Sequence, residues 1–201
     1  MSERTLSNHF LHHFVQVLES ELGHENLVTV LAKASMPADW SDAASGKILS
    51  EKTAAETYSG LQKAIRTYYG RGARGILIRV GGNLWKGLLD NAPLVSKAQA
   101  KFLQALPVDA RRRSALELLA RLLENQRGDV TVHTLDLDLL LADHASPGTL
   151  GQSESTCICY VTLGLVRECL YWATSLEHDI EETSCRATGD EVCEFKINIG
   201  I

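Results

Sequence analysis

The chain contains, at residues 182–195, the stretch ETSCRATGDEVCEF. Two of its cysteines flank Gly189-Asp190, a dipeptide typical of a tight turn between two strands. A turn at this point returns the thiols of Cys185 and Cys193 to the same place. The apolar side chains after Cys193 alternate with polar ones and share one face of a strand. The stretch therefore predicts a C-terminal hairpin between residues 178 and 201.

All five cysteines of the chain lie between residues 157 and 193. An odd number in one cluster is unlike a secreted disulfide scaffold and indicates metal or redox chemistry inside a cell. Three thiols and one carboxylate stand at a spacing that suits a tetrahedral zinc site, namely Cys159, Glu182, Cys185 and Cys193. The residues alone leave open whether these thiols bind metal or are small buried apolar side chains. Cys157 shares a strand face with Cys159, so either thiol could be the ligand.

The first two thirds of the chain show apolar residues at helical spacing. A stripe from Leu6 to Leu18 predicts a helix that stops at Gly23, and a second helix is predicted over residues 27–34. Residues 38–52 are mixed and polar, and we predict a loop there. Thr53 and Glu56 have the spacing of a capping box that opens a third helix. A glycine-rich segment at residues 70–75 interrupts this helix, and a fourth helix is predicted over residues 76–89. Another helix is predicted to begin at Pro107.

The apolar period changes from helical to alternating after Gly128. The apolar residues are first at even positions, Val130 and Val132, and then at odd positions from Leu135 to Leu139. Because such a shift would move the apolar side chains to the other face of a strand, we predict a bulge or turn near residues 133–134. A short strand is predicted over residues 157–161 and a helix over residues 163–176. Helices followed by a small antiparallel sheet, a helix and a hairpin define an α+β fold. We expect a helical region at residues 1–52 before a ligand-binding domain at residues 53–201.

The stretch at residues 182–195 resembles the C-terminal signature of the 4-vinyl reductase (hydrocarbon-binding) domain family, with the spacing Glu-x-x-Cys-x-Ala-x-Gly-Asp-x-x-Cys-x-Phe. Cys159-Tyr160 followed by Gly164 is similar to the family's cysteine-aromatic segment. The resemblance implies a TRAPP-subunit-like fold, often dimeric, as in the sensor domains of aromatic-responsive activators. It also implies structural zinc, because four protein ligands leave no open coordination position. The ligands that it implies are Cys159, Glu182, Cys185 and Cys193.

A small hydrophobic or tetrapyrrole-like ligand is the expected partner, since the family typically binds an apolar molecule beside the metal. Trp85, Tyr160 and Trp172 are candidate cavity walls, and Arg79 is a candidate polar anchor. The alternatives are that the aromatic side chains are plain core and that the arginine is solvated surface. We expect a binding and sensor domain. The alternatives are a vinyl reductase-type enzyme or carrier in tetrapyrrole (bacteriochlorophyll) metabolism and a protein-interaction scaffold. The chain shows no flavin, nicotinamide or iron–sulfur motif that would supply electrons.

Composition and charge restrict the remaining classes. The 201 residues are 45% hydrophobic and 22% charged, which is ordinary for a globular protein. A net charge of −5 argues against direct binding to nucleic acid. The sequence has no apolar run near the roughly 20 residues that span a bilayer. We therefore expect a cytoplasmic protein without membrane contact, and a homodimer.

Overall fold

The structure, a computed structural model, describes residues 4–34, 36 and 48–199. The elements in this part of the chain confirm the α+β prediction, with helices first and a small antiparallel sheet later. The helices are α1 (Asn8–Leu22), α2 (His24–Lys33), α3 (Glu51–Tyr69), α4 (Ala73–Asp90), α5 (Leu94–Leu103), α6 (Val108–Leu123) and α7 (Tyr160–Thr174). The strands are β1 (Val130–Leu135), β2 (Asp138–Asp143), β3 (Asp179–Ser184) and β4 (Cys193–Asn198).

Helix α1 begins and ends where short-range chemistry predicts, whereas α3 begins earlier than predicted. Ser7 caps α1 by accepting a hydrogen bond from the Phe10 N–H, and Gly23 ends the helix with a φ of 78°. The predicted cap of α3 at Thr53 is wrong, because Ser50 accepts a hydrogen bond from the Thr53 N–H one turn earlier. Glu51 then lies in the first turn, where a negative charge suits the helix dipole. Most of the loop predicted at residues 38–52 falls outside the described residues.

Two further predictions of local structure are wrong. No bulge or turn lies near residues 133–134, because β1 and β2 pair without interruption from Val130↔Asp143 to Leu135↔Asp138. The change in apolar alternation occurs instead in the turn between the two strands, at Asp136 (φ 51°). The strand predicted over residues 157–161 does not form, because the Cys159 N–H donates to the Glu182 carboxylate rather than to a neighbouring strand.

The four strands form one antiparallel sheet in the order β1-β2-β4-β3. The predicted hairpin is confirmed as β3 and β4, and the side chains of Cys193, Phe195 and Ile197 are fully buried on one face. This face belongs to the same hydrophobic core as the helices. The end of β4 that carries Cys193 lies beside Cys159, which precedes α7.

Helices α4 and α7 cross at two glycines. A Cβ atom added to Gly81 would lie 2.1 Å from the Val161 carbonyl oxygen, and one added to Gly164 would lie 2.1 Å from the Ile78 carbonyl oxygen. The backbones therefore touch at this point, which only glycine permits. Because Gly81 faces Gly164 while Trp85 meets Trp172 further along, the two helices run in the same direction.

The N-terminal helices share the core of the rest of the chain. Phe14 of α1 packs edge-on against Tyr58 of α3, with ring centroids 4.7 Å apart. The division at residues 1–52 and 53–201 stays a prediction, as does the cytoplasmic location. Within the described ranges, no helix combines the length and the apolar character that crossing a bilayer requires.

Candidate metal centre and ligand groove

Four donor side chains from three separate elements converge on one point. One donor atom from each of Cys159, Glu182, Cys185 and Cys193 lies within 4.8 Å of every other. Cys159 precedes α7, Glu182 lies on β3, Cys185 follows β3 and Cys193 begins β4. The metal site predicted from these residues stays a prediction, but its geometric requirement of convergent donors is met.

The turn of the hairpin explains how Cys185 and Cys193 meet. A 3₁₀ turn follows Cys185, and Gly189 closes it with a φ of 105°. The Asp190 carboxylate accepts hydrogen bonds from the Cys185 N–H (2.9 Å) and from the Thr188 hydroxyl (2.9 Å). Glycine tolerates the left-handed backbone, and aspartate satisfies the free donors of the turn.

The distances within the cluster suit a tetrahedral thiolate site. The Cys159 sulfur lies 3.5 Å from the Cys193 sulfur and 3.8 Å from the Cys185 sulfur. Metal–sulfur bonds of about 2.3 Å in tetrahedral geometry place two sulfurs about 3.8 Å apart. Oε2 of Glu182 accepts a hydrogen bond from the Cys159 N–H, whereas the buried Oε1 has no hydrogen-bond partner. The second carboxylate oxygen is therefore left for a cation.

Burial and mutual hydrogen bonds shift the pKa values in the cluster. Burial raises the pKa of Glu182 to about 8. Hydrogen bonds from Cys159 to the other two sulfurs, together with burial, raise the pKa of Cys159, while hydrogen bonds from Cys159 and Cys193 lower the pKa of Cys185. The protons are thus shared among the sulfurs, and further ionisation would place uncompensated negative charge in a buried space.

Ser146 is a contact of the cluster that the sequence analysis missed. Its hydroxyl oxygen lies 3.2 Å from the Cys193 sulfur and 3.6 Å from the Cys159 sulfur. Oδ1 of Asp143 accepts hydrogen bonds from the N–H groups of Ala145 and Ser146, and this fixes the turn. Asp143 followed three residues later by Ser146-Pro147 is a turn signal that could have found it.

Ser146→Ala is expected to lower the affinity of the cluster for metal by about tenfold, because hydrogen bonds to coordinating groups tune and orient them. Competition with a chromophoric chelator measures this affinity. Ser59→Ala is the matched control, since Ser59 is equally buried and its hydroxyl binds the carbonyls of Gly148 and Leu150 instead. Equal metal affinity in the two variants would show that Ser146 has no part in the site.

The remaining cysteines separate clearly from the cluster. Cys159 rather than Cys157 belongs to the group of four. Cys157 is half-buried beside Cys185, and burial raises its pKa to about 11. Cys169 is fully buried on α7 and donates to the Ala115 carbonyl at 3.3 Å, so it is a core residue.

The candidate ligand residues divide between two places. Trp85, Trp172 and Arg79 line an open groove of about 910 Å³ between α4 and α7. The two indole rings meet edge-on with centroids 5.4 Å apart, and Arg79 also pairs with Glu21 at 2.6 Å. Tyr160 does not line this groove. It follows Cys159, and the Arg74 guanidinium lies 5.8 Å from the centre of its ring.

A smaller cavity of about 50 Å³ lies between the N-terminal segment, α6 and the sheet. Its walls include Phe10, Tyr58 and the buried carboxylates of Asp129 and Asp143. Burial raises the pKa of Asp143 to about 6. The volume suffices for a few water molecules.

Among the comparisons with known proteins, only the one with solved structures finds similar proteins, and it identifies the fold. No family profile and no curated protein matches the chain. Solved H-NOX domains match nearly its whole length. An Fe(II) unliganded H-NOX protein from K. algicida has 12% identity and a TM-score of 0.57, covering 96% of each chain. An Fe(II)NO H-NOX protein from S. oneidensis has 12% identity and a TM-score of 0.53, covering 93% of this chain and 97% of that one. An oxygen-binding H-NOX domain related to soluble guanylate cyclases has 12% identity and a TM-score of 0.52, covering 96% and 93%.

These matches correct two predictions. The predicted 4-vinyl reductase membership is wrong, because the similar structures are H-NOX domains, and the TRAPP-like label is not confirmed. Zinc as the cofactor is also wrong against this comparison, since the similar structures are described with Fe(II), NO or heme. The resemblance failed because it rested on a motif of 14 residues, which describes one local group of side chains. The similarity to H-NOX domains extends over nearly the whole chain and therefore reflects the fold. Thiol spacing also does not select one metal among several.

Proposed function

We propose that this protein is a small-molecule-binding domain of the sensor type, whose C-terminal hairpin is held by a soft metal ion. The observation that carries the proposal is the cluster of Cys159, Glu182, Cys185 and Cys193 with its unpartnered Glu182 oxygen. The similarity to an oxygen-binding H-NOX domain supports the sensor part. We propose binding rather than catalysis, because four protein donors leave a metal no open position for substrate.

Heme does not fit the described part of this chain. The cavity of about 50 Å³ beside Phe10 and Tyr58 is far below the volume of about 300–1,000 Å³ that a ligand of this size needs. In the open groove, both ring nitrogens of His178 are engaged, one by the Arg112 guanidinium and one by the Leu176 carbonyl. Tyr171 is half exposed on the same groove and would leave an iron in contact with water. We therefore do not extend the heme of the similar structures to this protein.

The metal would act as a crosslink between distant parts of the chain. Cys159 precedes Cys185 by 26 residues and Cys193 by 34 residues in the chain. Binding to deprotonated thiols stabilises the folded form, because the unfolded chain has no preformed site. A bound cation also offsets the negative charge that burial makes costly.

Native mass spectrometry of protein purified without chelators tests the proposal, with elemental analysis to identify the ion. We expect one transition-metal ion per chain, and the same spectrum reports a co-purified small molecule and the predicted homodimer. Removal of the ion is expected to lower the thermal midpoint. Cys169→Ser serves as the control and should retain the ion, because Cys169 is buried away from the cluster. Metal-free protein with an unchanged midpoint in chelator would overturn the proposal.

A further inference from the structure

Helix α5 carries an apolar stripe on its solvent-exposed face. The stripe consists of Leu94, Val95, Ala98 and Phe102, and all four are exposed. The exposed fractions of Leu94, Val95 and Phe102 are 84%, 75% and 68%. At 3.6 residues per turn the four side chains fall within an arc of about 100°. An arc of this width usually faces the core of a globular protein, whereas here it faces solvent.

The opposite face of α5 holds the helix in this orientation. Ser96 and Leu103 lie two turns apart on that face, and both are buried. Between them, Oε1 of Gln99 accepts a hydrogen bond of 2.9 Å from the Arg121 guanidinium of α6. Rotating α5 to bury the stripe would expose Leu103 and break the contact with α6. The stripe is therefore directed toward a second molecule.

The order of side chains along the stripe makes it complementary to itself. Ala98 lies midway between Leu94 and Phe102, at about 6 Å from each along the helix axis. In an antiparallel pair of α5 helices with a two-fold axis at Ala98, residue 94 of each copy meets residue 102 of the other. The small side chain at the centre lets the helix axes approach to about 8 Å. Lys97 and Lys101 flank one edge of the stripe, as the polar rim of an interface does.

The area of the stripe suits a weak dimer of this chain. It offers roughly 500 Å² per copy, in the range of about 300–600 Å² for the largest apolar patch on a monomer, which is often functional. Two copies would bury roughly 1,000 Å², the lower limit for a specific interface. A lipid surface fits less well, because the 10 residues of α5 span only about 15 Å. The net charge of −5 also opposes approach to an anionic leaflet.

We propose that the apolar stripe of α5 is a homodimer interface, in which two copies pack antiparallel about a two-fold axis at Ala98. Each copy contributes Leu94 to one end of the contact and Phe102 to the other, so the same pair of side chains forms twice. This inference goes beyond the proposed function, because the interface uses neither the metal cluster nor a ligand.

Sedimentation velocity of the full-length protein from about 1 to 200 µM measures the dimer, whose dissociation constant is expected to be on the order of 10–100 µM for so small an area. Ala98→Glu should weaken dimerisation at least about 100-fold, because it places two like charges at the axis. Glutamate is a good helix former, so α5 should persist. Ala32→Glu is the matched control, since Ala32 is an exposed alanine on α2. Native protein that stays monomeric at 200 µM, or equal dimerisation of the two variants, would overturn the proposal.

A charge exchange tests the antiparallel arrangement. Leu94→Glu and Phe102→Lys should each give a monomer, and both charges suit the helix end at which they lie. A mixture of the two variants should dimerise again, because the introduced carboxylate meets the introduced ammonium at one contact while the other contact keeps leucine against phenylalanine. A mixture that stays monomeric would contradict this geometry. Monomeric native protein that sediments with phosphatidylglycerol vesicles would assign the stripe to a lipid surface and overturn the proposal.

Discussion

Cys193→Ser is expected to abolish metal binding and to lower the thermal midpoint by about 10 °C. The Cys193 sulfur is fully buried and lies at the centre of the cluster, in contact with the Cys159 sulfur and the Ser146 hydroxyl. Serine offers a hydroxyl that ionises far less readily than a thiol, so the fourth bond to a soft metal is lost. Loss of a structural metal is among the few single changes that cost about 4 kcal/mol or more.

Cys169→Ser separates the loss of metal from the loss of a buried thiol. Cys169 is as buried as Cys193, and a serine hydroxyl can replace its hydrogen bond to the Ala115 carbonyl. Elemental analysis should find metal in this variant and none in Cys193→Ser. In excess chelator, the difference in midpoint between the native protein and Cys193→Ser should become small. Full metal occupancy in Cys193→Ser would show that the cluster is not the metal site.

Gly164→Ala is expected to reduce the free energy of unfolding by about 3 kcal/mol, the upper end of the usual cost of overpacking. The new methyl group would lie 2.1 Å from the Ile78 carbonyl oxygen and 3.0 Å from the Gly81 Cα atom. Both neighbours are backbone atoms, so neither can rotate away, and α4 and α7 must separate. The helix propensity of alanine, about 1 kcal/mol better than that of glycine, offsets only part of this cost. Urea denaturation measures the difference.

Gly72→Ala is the matched control for this prediction. Gly72 has a φ of −69°, and a Cβ atom there would meet nothing within 4 Å. Alanine at such a site is expected to stabilise the protein by about 0.5 kcal/mol, because it reduces the freedom of the unfolded chain. Equal stabilities of the two variants would show that the backbones of α4 and α7 do not touch in solution.

Features that depend on neighbouring residues could be predicted from the sequence. The helical stripe before Gly23, the alternation of β4 and the turn at Gly189-Asp190 each follow from local backbone preferences, and the structure confirms them. The meeting of the Cys185 and Cys193 thiols was also predicted, because the turn between them returns both sulfurs to one place. These predictions required no knowledge of which distant segments pack together.

Features that depend on distant contacts could be decided only by the tertiary structure. Cys159 and Cys157 are equivalent by spacing, and the position of Glu182 brings Cys159 rather than Cys157 into the group of four. The Cys159 N–H donates to that carboxylate, so the predicted strand cannot form. Glycine weakens a helix, and only the crossing of α4 and α7 shows why glycine is needed at positions 81 and 164. Local sequence determines the backbone conformation of each segment, whereas contacts between segments far apart in the chain determine which donors, glycines and indoles share a site.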